Sequence, residues 1–188
     1  MAVDPNALAT WANAITAGRL VLSPIMFLVI PDHTRGSWIA FGLWFLLCVS
    51  DGIDGWLARK HGTTSSGAFL DPLADKVLVL GAMFTLVARE VFWVVPVAII
   101  AGRELVISVY RTLVASKGVS IPASQTAKLK TLFQQLCVGF ALWPWFADDR
   151  ALWNTMLWIA VGLALVSGLQ YLWWSRVTGK ALADAAVH

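Results

Sequence analysis

From Trp38 to Ala58 the chain reads WIAFGLWFLLCVSDGIDGWLA, an apolar run whose only charges are two aspartates near its end, Asp51 and Asp54. A helix needs about 20 residues to cross a hydrocarbon core roughly 30 Å thick, and this run has that length. Five further apolar segments accompany it, approximately Ile15–Ile30, Ala68–Ala88, Phe92–Tyr110, Leu132–Phe146 and Leu152–Trp174. Backbone polar groups in lipid must be satisfied within their own segment, so each segment reads as a helix. The expected fold is an all-α integral membrane protein of six transmembrane helices, forming a single domain over residues 1–188. Ahead of the first span, Leu8 and Trp11 are mixed with polar residues, which predicts a short helix over residues 1–14 lying in the membrane interface.

Composition supports the membrane reading. With 59% hydrophobic and only 13% charged residues, a water-soluble fold would expose more apolar surface than solubility allows. The net charge of +3 belongs to loops. With the N-terminus inside, the inner side receives Arg59, Lys60, Arg111, Lys117, Lys128, Lys130, Arg176 and Lys180, and the outer side only Arg35, Arg89 and Arg150. That bias puts both termini on the cytoplasmic side of the cell membrane. The tryptophans follow the same frame: Trp11, Trp56, Trp173 and Trp174 fall near the inner interface, and Trp38, Trp93, Trp143, Trp145 and Trp153 near the outer one. No basic run with interleaved aromatics exists outside the apolar segments, so nucleic acid is not an expected partner. Cys48 and Cys137 lie within apolar segments without a CxxC spacing and read as small buried hydrophobes. The N-terminus has neither a basic stretch nor a small-residue cleavage site, so no removable signal peptide is expected.

Four acidic residues crowd one window: Asp51, Asp54, Asp71 and Asp75. On a helix, Asp51, Asp54, Gly55 and Ala58 recur at i, i+3, i+4 and i+7 and share a face, as do Gly67, Asp71 and Asp75 at steps of four. The two helices are expected to be antiparallel, with Asp54 about one turn from the end of the first and Asp75 about two turns into the second. Both carboxylate pairs then reach similar depth near the cytoplasmic end. An ionised aspartate within a membrane helix costs roughly 2.5–3.5 kcal/mol, and four together add repulsion. Shared protons or bound divalent cations relieve it. Carboxylate oxygens suit Mg²⁺, Mn²⁺ or Ca²⁺, and no His or Cys cluster favours zinc. Four aspartates from two helices suit a pair of ions about 3.5–4 Å apart, the arrangement that clamps both oxygens of a phosphoryl displacement. Gly52, Gly55, Ala58 and Gly67 leave room for a ligand or for a closely packed helix.

These residues match D-x-x-D-G-x-x-A-R followed by G-x-x-x-D-x-x-x-D, and the chain resembles the CDP-alcohol phosphotransferase family at every specified position from Asp51 to Asp75. Seven residues separate Arg59 from Gly67, where many members have eight, a change expected to fall in an interfacial loop. The resemblance implies that Asp51, Asp54, Asp71 and Asp75 hold two divalent ions, Mg²⁺ or Mn²⁺. It also implies that Gly55, Ala58, Arg59 and Gly67 contact the cytidine nucleotide, and that Asp75 is the general base. Asn13, Thr16 and Arg19 resemble the motif opening the first span of many members. They share one face, so Arg19 either assists with the donor diphosphate or snorkels at the interface.

The pattern R-E-x-x-I-S-x-x-R from Arg103 to Arg111, with K-x-K-T from Lys128 to Thr131, looks like the branch of the family that makes phosphatidylglycerophosphate. That branch implies CDP-diacylglycerol as donor and glycerol 3-phosphate as acceptor, with Arg103, Arg111, Lys128 and Lys130 on the acceptor phosphate. For Arg103, a salt bridge to Glu104 is the alternative. Phosphatidylglycerol or an inositol phosphate as acceptor fits the same charges. Membrane lipids as surroundings and a homodimer are further implications of the resemblance. Outside enzymes, a divalent-cation transporter also places aspartates within spans, although such sites usually sit between internal repeats, and no repeat is visible here.

Overall fold

The computed structural model describes residues 11–32, 35–61, 65–115 and 125–185, and the regular elements among them are α-helices. In chain order they are α1 (Trp11–Leu28), α2 (Trp38–His61), α3 (Ser65–Ala88), α4 (Val94–Ala115), α5 (Gln125–Leu142) and α6 (Arg150–Ala185). Their ends follow from local chemistry. Ser37 caps α2, its hydroxyl accepting the Ala40 N–H at 3.3 Å, and Asp149 caps α6 by accepting from Leu152 at 3.1 Å. At the end of α3 the Val91 N–H reaches back to the Leu86 carbonyl and the Glu90 N–H to Val87, a Schellman closure that requires Glu90 in the left-handed region, φ 59°.

The helices form a ring in which α1 packs on α2, α2 on α5, α5 on α6, α6 on α4, α4 on α3 and α3 on α1, while α3 and α5 meet across the middle. Apolar residues of the ring fill its centre: Met26 and Ile30 of α1 and its end, Leu47 of α2, Leu78 and Met83 of α3, Ile100 of α4, Val138 of α5 and Leu157 of α6. Small residues set the closest approaches. A Cβ on Gly81 of α3 would run into the Phe27 ring of α1. Gly36, between α1 and α2, has φ +63°, and a Cβ there would come 2.8 Å from the Leu142 carbonyl oxygen and the Pro144 backbone. The outward faces are apolar, with Val21, Ile39, Leu46, Leu105, Val106 and Leu169 exposed, whereas Thr16, Arg19, Ser23, Glu104, Lys130, Gln134 and Ser167 are buried. Among the described residues, Arg150–Trp174 of α6 is long and apolar enough on average to cross a membrane, and apolar stretches of α1 and α2 cover Ala14–Leu28 and Trp38–Gly52.

Several boundaries differ from the sequence expectation. The helices α2 and α3 run past the apolar segments through Arg59–His61 and Ser65–Ser66, so most of the stretch between Arg59 and Gly67 is helix rather than loop. Asp54 therefore stands about two turns from the end of α2, and Asp75 almost three turns into α3, a turn deeper than expected. Nor do α2 and α3 form a self-contained hairpin: among the described residues each packs most extensively on α1. The helix α5 stops at Leu142 instead of Phe146, and Trp143–Asp148 make a turn around Pro144, which has no N–H to continue the ladder. At the N-terminus α1 begins at Trp11 and runs directly into the first apolar segment. The rest of the expected interfacial helix, residues 1–10, lies outside the described residues.

Candidate active site

Polar residues of α2, α3, α4, α5 and α6 gather at one end of the bundle. There they surround a cavity of about 860 Å³. Asp51 of α2 and Asp75 and Lys76 of α3 form one side. Arg103, Glu104, Ser108 and Arg111 of α4, with Lys128 and Lys130 of α5, form another. Ser167, Gln170, Tyr171 and Trp174 of α6 complete the wall.

The acidic side is held from behind. Arg19 of α1, only 1% exposed, forms an ion pair with Asp51 through Nη1 and Oδ1, and its carbonyl accepts the Ser23 hydroxyl at 2.7 Å. Arg19 is therefore buried in the bundle rather than snorkelling at an interface. It touches the acidic side without itself lining the cavity. A buried guanidinium offsets the charge that makes an aspartate costly inside a bundle. Asp75 and Asp51 bring hard oxygen donors to the same cavity, the chemistry suited to a divalent cation. Asp54, Gly55, Ala58, Arg59, Gly67 and Asp71 lie outside the residues whose side chains are described.

The basic side is cross-linked. The Arg103 guanidinium donates to Glu104 Oε1 at 2.9 Å, to the Ser167 hydroxyl at 2.9 Å and to the Ala164 carbonyl at 3.1 Å, which ties α4 to α6. Lys130 of α5 pairs with the same Glu104 oxygen. Lys130 precedes the apolar run that opens at Leu132. Lys76 donates to the Ser108 hydroxyl, which in turn donates to the Glu104 carbonyl at 2.5 Å, so α3 is linked to α4 along the same wall.

Of the residues singled out in the sequence, Asp51, Asp75, Arg103, Arg111, Lys128 and Lys130 share this cavity. Arg103 also makes the Glu104 salt bridge that was its alternative. The sequence reading missed Lys76, Ser108 and the whole contribution of α6. The α6 signal was present: Ser167, Gln170, Tyr171 and Trp174 recur at i, i+3, i+4 and i+7, a polar and aromatic stripe on an otherwise apolar helix.

The family model for CDP-alcohol phosphatidyltransferase matches residues 9–166. The chain belongs to that family. Its members are transferases, so the chain is an enzyme of this class and the cation-transporter alternative is set aside. A Haemophilus influenzae protein named CDP-diacylglycerol–glycerol-3-phosphate 3-phosphatidyltransferase is 36% identical over 164 residues, covering 84% of this chain and 89% of its own. A Pseudomonas fluorescens protein of the same name is 37% identical over 169 residues, covering 85% and 87%. A Mycobacterium tuberculosis protein named "Probable phosphatidylglycerophosphate synthase" is 34% identical over 171 residues, covering 88% and 81%.

Proposed function

We propose that the chain transfers the phosphatidyl group of CDP-diacylglycerol to sn-glycerol 3-phosphate, releasing CMP and forming phosphatidylglycerophosphate. The observation that carries this reading is that Asp51 and Asp75 share one cavity with Arg111, Lys128 and Lys130, a pairing of hard metal donors with phosphate-binding cations. The printed names of the relatives give the same donor and acceptor.

In this reading Asp51, Asp54, Asp71 and Asp75 would hold two divalent ions, Mg²⁺ or Mn²⁺, whose charge would neutralise the donor diphosphate and the departing CMP. Gly55, Ala58 and Gly67 admit the nucleotide closely, Arg59 pairs with it, and Arg19 supports the diphosphate side through Asp51. Arg111, Lys128 and Lys130, with Arg103 behind them, hold the acceptor phosphate and aim one of the two free hydroxyls of the glycerol at the donor. Asp75 takes the hydroxyl proton as the oxygen attacks the phosphatidyl phosphorus. A new phosphate ester bond forms, the bond to the CMP oxygen breaks, and CMP leaves with the electron pair. The apolar outer faces and buried polar interior support six spans in the cell membrane. The lysine and arginine bias supports a cytoplasmic cavity, and a homodimer surrounded by membrane lipids completes the proposal.

An acceptor panel with radiolabelled CDP-diacylglycerol tests it, offering glycerol 3-phosphate, inositol phosphate and phosphatidylglycerol in turn. Labelled phosphatidylglycerophosphate is expected from glycerol 3-phosphate alone. A product only with another acceptor would replace the acceptor and keep the reaction, and CMP release with none would remove the reading.

A further inference from the structure

Arg103, Glu104 and Lys130 are not three equivalent groups on the cavity wall. All three guanidinium nitrogens of Arg103 are engaged, with Ala164, Glu104 and Ser167, so its plane is fixed against α6. Lys130 is only 5% exposed, yet it lines the cavity, and Glu104 takes one of the three N–H bonds its ammonium can donate. Glu104, 8% exposed, thus joins α4 to α5 directly and to α6 through Arg103. A lysine is a point charge on a flexible four-carbon stem, and something must hold it if it is to meet a phosphate at a fixed place.

Building on the acceptor reading above, we propose that Glu104 is a positioning residue. Anchored to α6 by Arg103, it fixes the Lys130 ammonium on the cavity wall, and Lys130 is the member of the trio that meets the acceptor phosphate. Arg103 acts as the strut that holds Glu104 against α6. A simple countercharge would behave differently. Removing a carboxylate from a wall of cations makes the wall more positive, which by charge alone tightens the binding of a dianionic acceptor. Removing a positioning carboxylate loosens it, because Lys130 loses the partner that holds its ammonium in place. The two roles move the acceptor KM in opposite directions.

The experiment is steady-state kinetics of the purified full chain with Glu104→Gln, Lys130→Gln and both changes, varying CDP-diacylglycerol and glycerol 3-phosphate separately. Glu104→Gln is expected to raise the acceptor KM about tenfold with kcat and donor KM within about twofold, and to add almost nothing once Lys130 is already Gln. An acceptor KM that falls or stays unchanged overturns the proposal, and so do independent, additive effects. If Glu104→Gln does not fold, Glu104→Asp, which keeps the charge and withdraws it by one methylene, is read by the same split, with about a threefold rise in acceptor KM expected. Equal losses in kcat and both KM values there would mean a merely structural role. The wild type separates this inference from the acceptor assignment. If it makes no product from glycerol 3-phosphate, that assignment fails, and the same split is read with the phosphate-bearing acceptor that does give product.

Discussion

At one end of the bundle Phe41 stacks on Trp143 at 4.9 Å, Trp38 meets Trp145 edge-on at 5.3 Å, and Phe92 lies against Trp153 at 5.3 Å. At the other end the helices are joined by Arg19–Asp51 and by Arg103, Glu104 and Lys130, around open space. Rings pack face to face or edge to face, bury large apolar area and close the gaps between helices. Charged groups need partners at set positions, and meeting that demand leaves a hollow where a ligand can enter. The charge at the aromatic end is exposed, as in the Arg89–Asp32 pair, while at the cavity end Arg19, Glu104 and Lys130 are buried. Stability and chemistry are therefore concentrated at opposite ends.

That contrast breaks most sharply at Asp75. Asp75→Asn should lower kcat by about 10²–10⁴-fold, the range for a general base, while CDP-diacylglycerol still protects the protein against heat. Full turnover in that variant would remove Asp75 as the base. Chelation with EDTA should stop CMP release, with recovery on adding Mg²⁺ or Mn²⁺. Activity that is indifferent to EDTA would leave the carboxylates without the role given to them. On the basic side, Arg111→Ala should raise the glycerol 3-phosphate KM about tenfold and the donor KM much less. Equal rises would detach Arg111 from the acceptor. The smallest effect on catalysis is expected at the aromatic end. Gly36→Ala, with its left-handed φ and blocked Cβ position, should cost about 1–2 kcal/mol, read as a lower melting temperature in detergent, with KM values unchanged. A shift in acceptor KM from that change would show the two ends to be coupled.

Helix number and order were legible because apolar runs of Leu, Val, Trp and Phe are long and the breaks between them carry Pro, Gly and charge. The boundaries were less so. Arg59, Lys60 and His61 look like loop by polarity, yet nothing in them stops a helix, and α2 continues through them. Pro144 does stop α5, although Trp143, Trp145 and Phe146 make the stretch look like membrane span. The stripe on α6 was overlooked because one polar residue per turn scarcely changes the hydropathy of a long apolar helix.

By itself the order of residues determined that the chain is helical and apolar, that Asp51, Asp54, Asp71 and Asp75 fall at helical spacing, and that the family motif is complete. Those are local properties, set by periods of three and four along a single helix. The tertiary structure decided which distant side chains meet: Arg19 with Asp51, Lys130 with Glu104, Arg103 with Ser167, and α6 with the cavity wall. Such pairings span tens of residues and depend on how six helices close into a ring, which no local period can specify.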